Sequence, residues 1–196
     1  MRAFRTPVQI NPSDFELTYR KKTLLIGSCF TEYIGEILQY YKFPNIINPF
    51  GVMYNPQSVG KVLERLLQPT PFFDYDLDQY NHSWLSFYHD TSFSGEDKDQ
   101  VLKTINRQMN QAAEWLKSTD MLILTFGTAR VYKHKQKNMI VSNCHKIPSK
   151  AFSRHLLEVD QIVQQYRWLI DKIRESNPKT HIVLTISPVR HWKDGA

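Results

Sequence analysis

Residues Thr23 to Phe30, T-L-L-I-G-S-C-F, constrain this chain more than any other stretch. Three apolar residues (Leu24, Leu25, Ile26) run into Gly27, then a hydroxyl and a thiol (Ser28, Cys29), and a helical pattern starts at Phe30. A short apolar run ended by Gly and followed directly by a helix reads as a buried parallel strand whose carboxyl end delivers Ser28 to a helix N-terminus. Open α/β sheets carry their chemistry along that edge. The exposed amides and the positive end of the helix dipole favour negative charge, so an oxyanion forming beside Ser28 would be stabilised. Ser28 is the leading candidate for a nucleophile. Ser is also a preferred helix N-cap, and the same junction occurs in sheets with no catalytic serine, so its neighbours must decide.

The rest of the chain reads as alternating elements. Residues 1–20 form an extended arm. Phe30, Tyr33, Ile34, Ile37, Leu38 and Tyr41 recur at spacings of three and four, predicting one apolar helix face stopped by Pro44. Asn45 to Asn48 is a short second strand ended by the turn at 49–51. Asn55 caps the next helix, with Pro56 at its first position and Val59, Val62, Leu63, Leu66 and Leu67 inward. Residues 69–94, rich in aromatic and acidic side chains, are expected to be a lid or cleft wall with a hairpin around Trp84 to Tyr88. Ser94-x-x-Asp97 resembles a capping box opening a helix with Val101, Leu102, Ile105, Met109, Ala112 and Leu116 inward. Met121 to Thr125 is a buried strand ending in F-G-T-A. A hairpin follows from Arg130–His134 and Asn138–Ser142. Ser153 is expected to cap a long helix whose face runs from Leu156 through Val159, Ile162, Val163, Tyr166, Leu169 and Ile170 to Ile173, and His181 to Ile186 is the last strand.

The order β-α-β-α-α-β-hairpin-α-β predicts a single α/β domain over 1–196, with a parallel sheet of four strands and helices on both faces. A last strand followed by no helix would leave one face partly bare, so the domain is expected to be C-terminally incomplete, or that face to be covered by something else.

The formal charge of +6 invites a nucleic-acid partner, but the positive residues cluster only at Arg20-Lys21-Lys22 and around Lys133 to Lys137, so a solvated surface is expected and no nucleic acid. The start M-R-A-F-R-T-P has no apolar signal core, and no stretch nears the ~20 apolar residues of a membrane span. With two cysteines and no disulfide framework, a soluble, cytoplasmic protein is expected, with no membrane partner. Cys29 is a competing thiol nucleophile or redox group. Cys144-His145 with Cys29 is a weak zinc signal without a second spaced pair, and no metal or cofactor is expected. Ten Tyr and eleven Phe suit a cleft that stacks on sugar rings, although cores use most such residues.

Three strand ends carry small or polar groups: Gly27-Ser28, Asn48 to Gly51, and Gly127-Thr128. In a parallel sheet all three lie along one edge. Acyl transfer needs a nucleophile and two or three donors aimed at one developing oxyanion, and the Ser28 and Gly51 amides with the Thr128 hydroxyl would supply them.

G-S-C-F at 27–30, N-P-F-G-V-M-Y-N-P at 48–56, T-F-G-T-A at 125–129, N-C-H-K-I-P at 143–148 and S-P-V-R-H at 187–191 together resemble the GSCFA family of bacterial proteins, grouped with the SGNH (GDSL-like) hydrolases. The resemblance implies a flavodoxin-like, three-layer α/β/α sandwich lacking its last strand and helix. It also implies an esterase or acetyl-esterase acting on small-molecule or carbohydrate esters, with Ser28 as nucleophile and Gly51 as second oxyanion donor. The superfamily's third block reads G-x-N, whereas Ala129 stands at the Asn position here and leaves Thr128 as the substitute. Position 31 is Thr rather than the family's Ala. The Asp-x-x-His base of the superfamily would lie beyond residue 196, so feeble turnover is expected of these residues alone. Within the chain His191, beside Arg190, is the best alternative base or cleft-lining histidine. His89 with Asp90 is weaker and reads as a solvated loop residue, and His134, His155 and His181 read as surface or element-end residues. The missing Asn and base keep open a non-catalytic module of the same fold that binds a carbohydrate or acyl ligand.

Overall fold

The computed structural model describes residue 9 and residues 11–187. In chain order its elements are β1 (Thr23–Gly27), α1 (Cys29–Tyr40), β2 (Asn45–Ile47), α2 (Pro56–Leu67), β3 (Asp78–Tyr80), β4 (Ser83–Leu85), α3 (Lys98–Leu116), β5 (Met121–Phe126), β6 (Arg130–His134), β7 (Met139–Val141), β8 (Phe152–Leu156), α4 (Val159–Ser176) and β9 (His181–Ile186). Four strands form a parallel sheet in the order β2-β1-β5-β9, with β1 central and wholly buried.

Strand side chains alternate between faces, so Leu24 and Ile26 of β1 point the same way as Leu122 and Leu124 of β5. These four share one core with Leu63 and Leu66 of α2, Ile105 and Met109 of α3, and Leu169 and Ile173 of α4. The cap of α2 matches its sequence signal: the Asn55 side chain accepts from the Ser58 amide at 2.8 Å, with Pro56 at the first helical position. The cap of α3 is Asp97, not Ser94, because the Asp97 carboxylate accepts from the Gln100 amide at 2.9 Å.

Helix α1 departs from the expected burial. Phe30, Tyr33 and Tyr41 are more than half exposed, and the helix meets the sheet through Thr31 and Gly35. A Cβ on Gly35 would come within 2.5 Å of the Ile47 side chain, so close approach decides which face turns inward. At the sheet's edge, Leu184 and Ile186 of β9 are exposed.

Two other segments differ from the sequence reading. Phe152–Leu156 is a strand, not the start of the long helix: β8 pairs antiparallel with β6, giving a three-stranded sheet β7-β6-β8, and α4 begins at Val159. The free edge of β6 offers that segment a hydrogen-bonded ladder, and Phe152 buries against Phe87 and His134. Residues 69–94 form packed structure, not a lid. Phe72, Leu77, Leu85 and Phe87 are buried, and the hairpin β3–β4 turns at Asn81-His82, both with positive φ.

Gly27 is the tightest point of the sheet. Its φ is +149°, and a Cβ there would lie 2.3 Å from the Thr125 carbonyl oxygen. Gly27→Ala is expected to cost at least about 3 kcal/mol in a denaturant titration, from backbone strain plus a clash with immovable backbone. A loss below about 1 kcal/mol would contradict this packing.

Candidate active site

The carboxyl ends of β1, β2 and β5 lie side by side, so Gly27-Ser28, Asn48 to Gly51 and Gly127-Thr128 share one edge. Ser28 occupies the N-cap position of α1 in extended conformation, yet its side chain makes no capping bond. Its carbonyl accepts from the Thr31 and Glu32 amides, which leaves the amides of Ser28, Cys29 and Phe30 without helical acceptors. Among the described residues the buried Ser28 side chain thus has no hydrogen-bond partner, at a helix start with three such amides.

The chain after β2 is fastened to the ends of both β1 and β5. Asn48, in left-handed conformation, accepts the Gly27 amide on Oδ1 at 2.8 Å, while its buried Nδ2 has no partner among the described residues. Met53 donates to the Gly27 carbonyl at 2.9 Å. The Gly127 and Thr128 amides both donate to the Tyr54 carbonyl, at 2.8 and 3.0 Å. The Gly51 amide, expected to donate to an oxyanion, instead donates to Asn48 O at 2.7 Å and closes a turn with φ +87°. Asp90 braces that turn. Its carboxylate takes the place a Gly51 side chain would need, and it accepts from the Val52 amide at 2.9 Å.

Gly127 borders both Ser28 and a cleft. A Cβ built on it would stand 3.6 Å from Ser28 Cβ and 3.3 Å from Tyr54 Cδ1. The cleft, of about 310 Å³, has Tyr54, Gly127 and Thr128 on one side and Arg130, Tyr132 and Arg154 on the other. Partial burial, then the neighbouring Cys29, Glu32 and Asp90, push the Tyr54 phenol up, so it remains a neutral donor at ordinary pH. Thr128 accepts the Arg130 amide on its hydroxyl oxygen at 3.1 Å and keeps its own proton to donate. Cys144 also lines the cleft, where burial pushes its thiol up. His191 and Arg190 lie outside the described residues.

A family model covers residues 22–196 and bears the description GSCFA family. The chain belongs to the GSCFA family. No curated protein and no solved structure matches it. The GSCFA chain has no helix, among its described residues, long and apolar enough to cross a membrane.

Two histidines of this GSCFA protein are more buried than their sequence context indicates. His134 packs between Phe87 and Phe152. His89 is fully buried, stacked on Phe50 at 4.5 Å and bonded through Nδ1 to the Ser86 hydroxyl at 3.0 Å. Burial first, then His145 and Arg65, bring the His89 pKa down to about 3. Between pH 6.5 and about 3 the unfolded chain thus holds a proton on this residue that the folded chain does not, and stability falls as pH falls through that window. The slope is up to about 1.4 kcal/mol per pH unit. Burial lowers His145 in the same direction. His89→Leu should flatten the pH dependence of urea unfolding across this range. An unchanged slope would show that His89 does not carry it.

Proposed function

We propose that this protein is a serine ester hydrolase of the SGNH type, built as a three-layer α/β/α sandwich, that cleaves acyl esters of carbohydrates or other small molecules through Ser28. The observation that carries the reading is the position of Ser28, at the carboxyl edge of a central parallel strand and at the start of α1, with a hydroxyl that makes no capping bond beside three first-turn amides without helical acceptors. Attack by Oγ on an ester carbonyl would place the developing oxyanion within the field of those amides, with the Asn48 Nδ2 and the Thr128 hydroxyl as further donors. Ala129 at the superfamily's Asn position and the engaged Gly51 amide make these two groups the substitutes. Hydrolysis also needs a base to take the Ser28 proton. No Asp in the 196 residues has a His three positions on, so the reading assigns the Asp-x-x-His pair to sequence after residue 196.

The same two features favour a second reading, in which the edge binds an acylated ligand without cleaving it. Covalent labelling separates the two. In a form of the protein carrying an Asp-x-x-His pair, a fluorophosphonate is expected to give one adduct, on Ser28, lost in Ser28→Ala and kept in Cys29→Ala. No adduct on folded protein would leave the binding reading. A second variant tests the geometry. Gly127→Ala adds a methyl 3.3 Å from Tyr54 Cδ1, a contact relieved by a shift of a few tenths of an ångström in a half-exposed ring, so its unfolding free energy should stay within about 1 kcal/mol of the parent. The methyl would stand between Ser28 and Tyr54, so the labelling rate should drop at least about tenfold, or about 1.4 kcal/mol. An unchanged rate would mean that substrates do not approach past Gly127.

A further inference from the structure

Residues 86–94 meet the turn after β2 at Asp90, and every residue from Phe50 to Val52 is held there. The Phe50 ring stacks on the fully buried His89 ring at 4.5 Å, and its carbonyl accepts the Asp90 amide at 3.0 Å. The Val52 amide donates to Asp90 Oδ2 at 2.9 Å. Between these two points the carboxylate lies against Gly51, where a Cβ would collide with it. A carboxylate only accepts, and its second oxygen is engaged as well: Oδ1 takes the Ser92 amide at 2.8 Å and the Ser92 hydroxyl at 2.5 Å. Asp90 is thus fixed by Ser92 on its own side and grips the turn on the other.

The N-C-H-K-I-P stretch at 143–148, to which the hydrolase reading gives no part, anchors this loop. His145 Nε2 lies 3.0 Å from the Ser86 carbonyl, which only accepts, so Nε2 carries the proton and Nδ1 accepts the Ser94 hydroxyl at 3.3 Å. One buried imidazole therefore ties both ends of 86–94. On the other side of Asp90 the contacts run on to the end of β1. The Gly51 amide donates to the Asn48 carbonyl at 2.7 Å, and Asn48 Oδ1 accepts the Gly27 amide at 2.8 Å, which leaves the buried Nδ2 without a partner among the described residues. Asn48 and Gly51 both have positive φ, at 41° and 87°, a conformation that persists only where surrounding contacts impose it. From this arrangement we propose that Asp90 is a positioning residue for the candidate site: by holding Phe50 to Val52 it aims the Asn48 side-chain amide at the end of β1, beside Ser28. That Asn48 then serves as an oxyanion donor rests on the hydrolase reading; that Asp90 sets its orientation does not.

Two readouts on the full-length protein test this, one of geometry and one of reaction. Solvent exchange of the Asn48 Nδ2 protons, followed by NMR, reports whether the amide keeps its buried place. Asp90→Asn turns one accepting oxygen into a donor, so it loses either the Val52 bond or a Ser92 bond. It is expected to speed Asn48 exchange at least about tenfold more than it speeds exchange of the Leu24 and Leu122 amides in the sheet core. Fluorophosphonate labelling of Ser28 should slow at least about tenfold in the same variant. In an Asn48→Ala background Asp90→Asn should change the labelling rate by less than about twofold, because a residue that acts through Asn48 has nothing left to position. Ser92→Ala removes one donor to Oδ1 and keeps the charge, so it should move both readouts the same way by a smaller factor, and it replaces Asp90→Asn if that variant does not fold. Unchanged Asn48 exchange in the folded variant, or equal slowing of labelling with and without Asn48, would overturn the proposal. A parent that is never labelled removes the hydrolase and leaves the exchange readout to decide: faster exchange keeps Asp90 as a positioning residue of a ligand-binding edge, and unchanged exchange overturns it.

Discussion

The ends of β1 and β5 approach so closely that no side chain fits between them, and the arrangement of the candidate site depends on that contact. Gly27 has its Cα against the Thr125 carbonyl, in a conformation that L side chains rarely adopt. Its amide and carbonyl are then free of β5 and turned toward the chain after β2, where Asn48 Oδ1 and the Met53 amide take them. From there the chain runs to Tyr54, whose carbonyl collects two amides from the end of β5. One crossing segment is thereby stitched to both strand ends. Ser28 follows directly after the contact, so its position is set by backbone bonds on either side and not by a cap of its own.

The site divides between two kinds of sheet. The parallel sheet supplies the hydroxyl, the first-turn amides and the buried Asn48 amide, all from backbone geometry common to strand-to-helix junctions. The small antiparallel sheet supplies the arginines and Tyr132, where alternation along β6 and pairing with β8 select which side chains face the cleft. Gly127 lies where the two meet. A Cβ there would stand 3.6 Å from the buried Ser28 Cβ and 3.3 Å from Tyr54 Cδ1.

Much of this was legible in the sequence because local chemistry and tertiary structure agree there. The apolar run ending in Gly27-Ser28 gave a buried strand, Asn55-Pro56 gave a helix start, and the alternation of elements gave four parallel strands. The failures came where a distant partner outweighed a local pattern. Leu156 completes a helical periodicity with Val159 and Ile162, but the open edge of β6 draws Phe152–Leu156 into a ladder, and only that pairing brings Arg154 to the cleft. The aromatic stripe of α1 looks like a core face, yet the fit of Gly35 against Ile47 rotates the helix so that Thr31 and Gly35 are buried, Ile34 and Leu38 half-buried, and Phe30, Tyr33 and Tyr41 exposed. His89 sits in a polar-looking loop and is buried by Phe50, Phe72 and Phe93, two of them more than 15 residues away in sequence. The commitment of the Gly51 amide to Asn48 is a turn geometry that residue types do not reveal.

The most direct measurement is an experimental structure of the full-length protein with an arylboronic acid. The account predicts a tetrahedral boronate bonded to Ser28 Oγ, with one boronate oxygen directed at the first-turn amides of α1 and Asn48 Nδ2. Boron bonded elsewhere, or no adduct on Ser28, would contradict it.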